Sequence, residues 1–216
     1  MLAPEALLDA AIQVVSRDGL GALTLDAVAR EAGVSKGGLT HHFATKDALV
    51  TAMLEHFAQR LLRELDRHAA DDPELKGRRI RAMMKVAFPE LGDDDSLTSP
   101  SSRKRTVGTK RSPVGTSSEV EQLFISAITA SVVNPELLKP LRRMASEIRD
   151  RMRNQSPDGL WQVVTWMALD GLLLWRMLGL LSKNDPLQDQ ALRLLYSMSS
   201  DPPQEALETE ARHVTA

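Results

Sequence analysis

Apolar residues recur along this chain of 216 residues at the three-to-four-residue spacing of an α-helix. Pro4 suits the first position of a helix, and the stripe that follows it would form one buried face. Further capping residues and prolines divide the chain into several such segments, and Asp72 and Pro73 predict the start of one of them. No segment alternates apolar and polar residues with the period of two that a half-buried strand requires. The pattern therefore predicts an all-α fold. The first stripe comprises Leu7, Leu8, Ala11, Ile12 and Val15.

The stretch 24–43, TLDAVAREAGVSKGGLTHHF, predicts two short helices joined by a turn. Thr24 and Ser35 are residue types that cap a helix at its N-terminus. Gly33 stands between the two helices, where a left-handed backbone conformation costs glycine little. This is the layout of a helix-turn-helix, in which the second helix enters the major groove of DNA.

The second helix of this motif has two different faces. Leu39 and Phe43 share an inward face at a spacing of four residues. Gly37 and Gly38 lie on the opposite face, although each weakens a helix by about 1 kcal/mol relative to alanine. A duplex that must approach this face closely would explain why both are glycine.

The charge balance of the N-terminal segment argues against DNA binding. The net charge of the chain is −2, and the first 50 residues contain four cationic and six acidic side chains. Lys36 and Lys46 can contact phosphates, but the N-terminal segment as a whole is not basic. Helix pairs with a glycine turn also occur in all-α proteins that bind no DNA. These residues alone leave both interpretations open.

Residues 5–50 resemble the TetR family of transcriptional regulators. The resemblance rests on VAREAGVSKGGLTHHF followed by ATKDAL, and on the spacing between them. It implies a three-helix DNA-binding head and a larger helical domain for ligand binding and dimerisation. The family often has Thr where Gly38 stands and Tyr where Thr40 stands, so base contacts there differ. The predicted DNA-contacting residues are those at family contact positions together with Gly38: Thr24, Lys36, Gly37, Gly38, Thr40, His41, His42 and Lys46.

The segment 159–181 is long and apolar enough to be mistaken for a membrane span. Gln162, Asp170 and Arg176 interrupt it, and a central charge is costly in a bilayer, so we predict a buried helix and no membrane partner. By the resemblance, this helix and the last one pair with their copies across a two-fold axis. The predicted dimer-interface residues are Asp170, Gly171, Leu174, Leu178, Leu192 and Leu195.

Composition narrows the chemistry. Without cysteine the chain has no disulfides or thiolate metal sites, and its five histidines show no ligand spacing, so we predict no metal and no cofactor. No nucleophile–base constellation or phosphate loop is evident, so an enzyme is not expected.

No basic leader precedes an apolar core, and we expect a cytoplasmic protein. Residues that could line an effector pocket are Phe88, Phe124, Met144, Trp161, Trp166 and Met167, although each is also a plausible core residue.

The predicted domains are a DNA-binding head at 1–50, a helical ligand-binding and dimerisation domain at 51–200, and a flexible tail at 201–216. Within the second domain, 92–117 is polar and predicts a flexible loop. The alternative is that its basic cluster, Arg103 to Arg111, forms an arm that contacts DNA phosphates.

The function predicted from these features is a homodimeric, sequence-specific transcriptional regulator that binds double-stranded DNA at a palindromic operator. We expect a repressor that an unknown small-molecule effector releases from DNA. The alternative is a helical sensor or carrier of small molecules whose head does not bind DNA, since that head is acidic overall.

Overall fold

The computed structural model of the protein describes residues 3–88, 117–155, 158–182 and 184–201. It confirms the all-α class, because the residues described form helices and no strand. Two short 3₁₀ turns, Leu20–Ala22 and Pro135–Leu138, separate some of the helices. In chain order the α-helices of the described ranges are α1 Pro4–Asp18, α2 Leu25–Glu31, α3 Lys36–His42, α4 Lys46–Ala70, α5 Arg78–Ala87, α6 Ser117–Val133, α7 Lys139–Gln155, α8 Gly159–Met177 and α9 Pro186–Ser200.

Two predicted flexible segments fall almost wholly outside the described residues. The loop predicted at 92–117, including its basic cluster, lies there up to residue 116, and the tail lies there from residue 202. Both remain predictions.

The chain divides into two compact units. One consists of Met1–Leu62 with Pro113–Ala145, and the other of Arg63–Ser112 with Ser146–Ala216. The division falls within α4 and α7, each of which contributes residues to both units. The predicted boundary at residue 50 concerns function and stays a prediction.

The first unit is built around α1, which packs against α2 and α6. The stripe predicted for α1 is buried, since Leu7, Ala11 and Val15 are at most 2% exposed. Elsewhere in this unit Phe57 of α4 meets Phe124 of α6 edge to face, with ring centroids 5.7 Å apart. Such a pair contributes about 0.5–1.5 kcal/mol beyond its buried area. The α1 helix is therefore the scaffold of the head.

A polar contact adds to this scaffold. Asp9 of α1 accepts hydrogen bonds from two residues of α4, His56 Nε2 at 3.0 Å and Arg60 Nη1 at 2.5 Å. Because these side chains come from successive turns of α4, they fix its rotation relative to α1.

The second unit packs α5, α8 and α9 against one another. Phe88 and Leu192 are fully buried in it. Arg176 of α8 lies 4.6 Å above the Phe88 ring and donates a hydrogen bond to the carbonyl of Ala87 at 2.9 Å. This arginine faces inward, as expected for a buried helix. No helix in the described ranges has the length and apolarity needed to cross a membrane.

The connection between α4 and α5 is held by a buried ion pair. Arg81 is 1% exposed, and its Nε lies 2.7 Å from Asp72 Oδ2. It also donates to the carbonyl of Glu74 at 2.7 Å and to Ser200 Oγ at 2.9 Å. Burial raises the pKa of Asp72, but the hydrogen bonds from Arg81 and the Glu74 amide, together with the positive charges of Arg81 and Lys85, outweigh it and hold this pKa below its ordinary value.

The same connection corrects one expectation. Asp72 and Pro73 read as the start of a helix, but α5 begins at Arg78. Gly77 precedes it with φ of 68°, and a Cβ there would lie 2.0 Å from the carbonyl oxygen of Ser199. The chain therefore turns at Gly77 to pass against the end of α9.

Removing Asp72 tests this pair. We expect Asp72→Ala to lower the free energy of unfolding by about 3–5 kcal/mol, because it leaves the buried Arg81 guanidinium unpaired. The matched control is Asp71→Ala, next in sequence, whose exposed carboxylate bonds Arg67 at 3.2 Å. That pair contributes at most about 1 kcal/mol. Urea denaturation measures the free energy of unfolding of both variants. Equal losses of stability would contradict the assignment of Asp72 and Arg81 as a buried, stabilising ion pair.

The contribution of Asp72 to the free energy of unfolding depends on pH, and the direction of this dependence follows from its lowered pKa. Because the folded pKa of Asp72 lies below its unfolded value, its contribution is complete above about pH 4 and disappears as pH falls through the folded pKa. We expect the difference in stability between wild type and Asp72→Ala to be constant near neutral pH and to shrink below pH 4. A difference that grew on acidification would contradict the pairing.

Candidate nucleic-acid interface

The helix-turn-helix forms as predicted, and both of its caps are made. Thr24 Oγ1 accepts a hydrogen bond from the amide of Ala27 at 3.0 Å, and Ser35 Oγ accepts one from the amide of Gly38 at 3.1 Å. Between them Gly33 has φ of 67°, the left-handed conformation that the turn needs. These local interactions fix where α2 ends and where α3 begins.

The orientation of α3 follows from its apolar residues. Leu39 is fully buried and Phe43, which ends the helix, is 9% exposed. The other positions of α3 point outward or lie at its edges. Of the predicted DNA-contacting residues, Lys36, Gly37, Gly38 and His41 are exposed, and Thr40 and His42 are half-buried. The structure therefore brings six of the eight predicted residues onto one short helix.

The remaining two lie at the starts of neighbouring helices. Thr24 is exposed at the N-terminus of α2. The first turns of α2 and α3 are adjacent, since Lys36 Nζ of α3 lies 2.9 Å from Asp26 Oδ2 of α2. Lys46 begins α4, and its Nζ donates to the carbonyl of Leu20 at 3.3 Å.

Packing among the described residues does not require the two glycines of α3. A Cβ added at Gly37 would meet nothing within 4 Å in the described part of the chain, and one at Gly38 would meet only Ser35 Oγ, at 3.4 Å. Neither has a positive φ. The described part of the fold would therefore accept alanine at both positions and gain helix propensity.

The polar groups on α3 are already oriented. Thr40 Oγ1 donates to the carbonyl of Gly37 at 3.1 Å, which leaves its oxygen lone pairs as acceptors. The rings of His41 and His42 meet edge to face with centroids 5.6 Å apart. Across the described ranges no group of three His, Asp or Glu side chains could hold a metal ion.

Sequence reasoning counted the charges of the head but missed their pairing. Besides the Lys36–Asp26 contact, Arg17 binds Asp18 and Glu31, each at 3.0 Å. The hydrogen bonds that Arg17 donates to Glu31 and Asp18 raise the pKa of its guanidinium. Asp26 and Lys36 are ten residues apart and belong to different helices, so no helical spacing predicts their contact.

The predicted effector-pocket residues are not all internal. Phe88 is fully buried, and Met144 is 7% exposed. Trp161 is half-buried and donates from Nε1 to the carbonyl of Met198 at 3.0 Å, while Trp166 and Phe124 are half-buried. Met167 is 64% exposed, which corrects its assignment to an interior site. It lies on the outer side of α8.

That outer side is a continuous apolar stripe. Its members recur every three or four residues, with Gly171 at its centre, and a Cβ there would meet nothing within 4 Å. Leu187 and Leu194 are exposed on α9 in the same unit. We call the following five residues of α8, together with the residue that caps its C-terminus, the outer stripe: Leu160, Val164, Met167, Gly171, Leu174 and Leu178.

Three of the predicted dimer-interface residues lie in the outer stripe, and their role there stays a prediction, whereas two others are buried in the protomer. Gly171, Leu174 and Leu178 belong to the outer stripe. Leu192 and Leu195 are instead 0% and 8% exposed in the protomer, because they face the core that α5 and α8 form with α9. They are not available to a partner as contact surface.

Asp170 is the charged residue next to the outer stripe. Desolvation by the surrounding protein raises the pKa of this carboxyl to about 6, although a hydrogen bond with Trp166 opposes the shift. The other charged residue of α8, Arg176, faces inward. The placement of Asp170 at a dimer interface stays a prediction.

A capped helix pair with a glycine turn, whose second helix buries one apolar face and exposes small and polar groups, is the layout found in helix-turn-helix DNA-binding proteins. Comparison with known families agrees with this. The family described as bacterial regulatory proteins, tetR family, matches residues 7–53, and the one described as tetracyclin repressor-like, C-terminal domain, matches residues 110–200. The chain belongs to the TetR family.

Individual curated relatives match less than half of the chain. The HTH-type transcriptional regulator BetI of Burkholderia thailandensis is 32% identical over 94 residues, 44% of this chain and 46% of the relative. BetI of Paraburkholderia phytofirmans is 34% identical over 85 residues, 38% of this chain and 42% of the relative. The matched part thus spans less than half of these curated relatives.

Two solved structures extend the likeness of fold to nearly the whole chain. A transcriptional regulator from Rhodococcus sp. Rha1 superposes with a TM-score of 0.65 at 21% identity, covering 94% of this chain and 100% of that one. The multidrug binding protein EbrR, complexed with ethidium, superposes with a TM-score of 0.58 at 25% identity, covering 88% and 96%.

The glycines of α3 give a first test within the head. We expect Gly37→Ala to raise the free energy of unfolding by up to about 1 kcal/mol, because alanine is the better helix former and nothing obstructs its methyl group. The control is Gly33→Ala, the same substitution at φ of 67°, which should destabilise by about 1 kcal/mol. Thermal denaturation of both variants checks this. A destabilised Gly37→Ala would show that the fold itself requires this glycine.

Proposed function

We propose that this protein is a sequence-specific DNA-binding transcriptional regulator that acts as a homodimer. The observation that carries the proposal is the exposed face of α3, where two glycines weaken the helix without any reason inside the fold. A duplex approaching that face supplies the reason, because backbone close to base edges leaves no room for side chains. The TetR assignment supports this function over that of a carrier without DNA binding.

In this proposal the eight predicted residues have distinct roles. Thr40 and His41 face base edges from the middle of α3, and the glycines allow the close approach. Lys36 and Lys46 contact phosphates on either side and thereby set the position of α3 along the groove. Thr24 and His42 contact the backbone at the edges of this surface.

A homodimer is proposed because one recognition helix reads few base pairs. Two copies related by a two-fold axis read both halves of a palindromic operator, with half-sites about one helical turn apart. The outer stripe supports this arrangement, since an apolar row of this length on a soluble protomer marks an interaction surface. Gly171 at its centre would let two copies of α8 approach closely.

For regulation we propose a repressor that a small-molecule effector releases from DNA, acting in the cytoplasm. The neighbour EbrR is described as a multidrug binding protein and was solved with ethidium. By analogy, an apolar or aromatic effector is proposed here, with Phe88, Trp161 and Trp166 as candidate contacts in the second unit. The effector releases the protein from DNA to the extent that it binds the DNA-free form more tightly than the DNA-bound form.

Selection of duplexes from a random pool tests the proposed function. We expect the wild-type protein to enrich a palindrome with two half-sites, and to bind it with an affinity that falls steeply with salt. Enrichment of a single half-site would argue against the dimer. A pool that stays random while the protein is folded would contradict DNA recognition and return the carrier to consideration.

The glycine variants connect this test to the structure. We expect Gly37→Ala and Gly38→Ala each to weaken binding to the selected duplex by about tenfold or more, which corresponds to about 1.4 kcal/mol, because a methyl group would hold α3 away from the groove. Fluorescence anisotropy with the labelled duplex measures this. Since neither substitution should lower stability, a loss of affinity cannot come from unfolding. Unchanged affinity in both variants would contradict close approach.

The outer stripe gives an independent prediction. We expect Leu174→Glu to convert the dimer to a monomer, because it places a charge within an apolar interface. Leu75→Glu is the matched control: Leu75 is 74% exposed outside the outer stripe, and its variant should keep the wild-type mass. Sedimentation equilibrium distinguishes the two. A dimeric Leu174→Glu protein would show that this face is not the interface.

A further inference from the structure

The start of the recognition helix carries an ion pair that the proposed contacts do not explain. Lys36 Nζ lies 2.9 Å from Asp26 Oδ2, and the two side chains are 61% and 57% exposed. Lys36 is the first residue of α3, and Asp26 belongs to the first turn of α2. A carboxylate therefore lies beside a lysine that is assigned to a phosphate, on the side of the head that faces DNA.

We propose that Asp26 is a specificity-determining residue of the head, which pairs with Lys36 and thereby weakens binding to non-cognate DNA. This rests on the proposed function, since it concerns how the same surface discriminates between sequences. Asp26 was not among the predicted DNA-contacting residues.

The first step concerns non-cognate duplexes. Affinity for such DNA comes from releasing counterions when cations neutralise phosphates, and each neutralised phosphate contributes about −0.9 to the slope of log K against log salt. A lysine paired with a carboxylate forms a neutral unit, so it releases no counterions while the head is only loosely docked. To contact a phosphate in this state, Lys36 must break its ion pair with Asp26. The unpaired carboxylate of Asp26 then lies close to the negatively charged DNA.

The second step concerns the cognate duplex. There base contacts hold α3 close to the groove, and a lysine ammonium has three donors. Lys36 can then keep one hydrogen bond to Asp26 while another reaches a phosphate, so the pair need not break. Asp26 acts in this state as a positioning residue for the ammonium. The pair therefore weakens non-cognate binding more than cognate binding.

The head offers a matched comparison. Asp18 also pairs with a cation, Arg17, but Arg17 has a second carboxylate partner in Glu31 at 3.0 Å. Removing the charge of Asp26 frees Lys36, whereas removing that of Asp18 leaves Arg17 paired. The two substitutions change the net charge equally and differ in whether they release a cation.

The experiment measures Asp26→Asn and Asp18→Asn on two duplexes, the one selected by the wild-type protein and one of shuffled sequence. For Asp26→Asn we expect affinity for the shuffled duplex to rise roughly three- to tenfold at low salt, and the salt slope to steepen by about 0.9 per protomer. Affinity for the selected duplex should stay within about twofold or fall. Asp18→Asn should leave both affinities and both slopes close to wild type.

A third variant shows whether the effect passes through Lys36. In a Lys36→Gln background, adding Asp26→Asn should give no gain on the shuffled duplex. The proposal is overturned if the gain persists in that background, if Asp18→Asn produces the same gain, or if the selected duplex gains as much as the shuffled one. Thermal denaturation establishes that each variant is folded. If the wild-type protein selects no duplex at all, the proposed function fails, which is a different outcome from failure of this inference.

Discussion

The burial of Leu39 is the constraint on which the DNA-facing surface depends. It is the side chain within α3 that is fully enclosed, and with Phe43 it fixes the rotation of a helix only seven residues long. A helix this short has little stability of its own. Its position is therefore set by tertiary contact at one face and by the Ser35 cap at its start. The residues on the other face do not pack in the core of the described structure, and glycine can therefore stand there without loss of packing.

The sequence predicted this part of the molecule well because its signals are local. Caps act over three residues, an i, i+4 apolar pair defines a face, and a glycine at a helix end indicates a left-handed turn. Thr24, Gly33 and Ser35 each do what their type and position indicated. Physical reasoning alone left DNA binding open, because the composition of the head gives no basic signature, and it was the family resemblance that favoured DNA binding.

Contacts between distant residues could not be predicted in the same way. The Arg81–Asp72 pair depends on a turn at Gly77 that sequence reasoning took for a helix. On α8 nearly every position is apolar, so periodicity could not say which residues face the core, and Met167 was assigned inward although it lies in the outer stripe. Leu192 of α9 was assigned outward, although it is fully buried in the protomer. Such choices follow from packing against neighbouring helices, which no local pattern encodes.

Together these features support the proposal of a head whose affinity for DNA depends on shape more than on charge. Two of its four cations, Arg17 and Lys36, are paired with carboxylates, so in this proposal close approach along the glycine face supplies much of the recognition. The most direct test is NMR titration of the protein with the selected duplex. The account predicts that the largest amide shifts fall within α3, from Lys36 to Thr40, and at the start of α2. Shifts confined to residues outside the helix-turn-helix, with α3 unchanged, would contradict it.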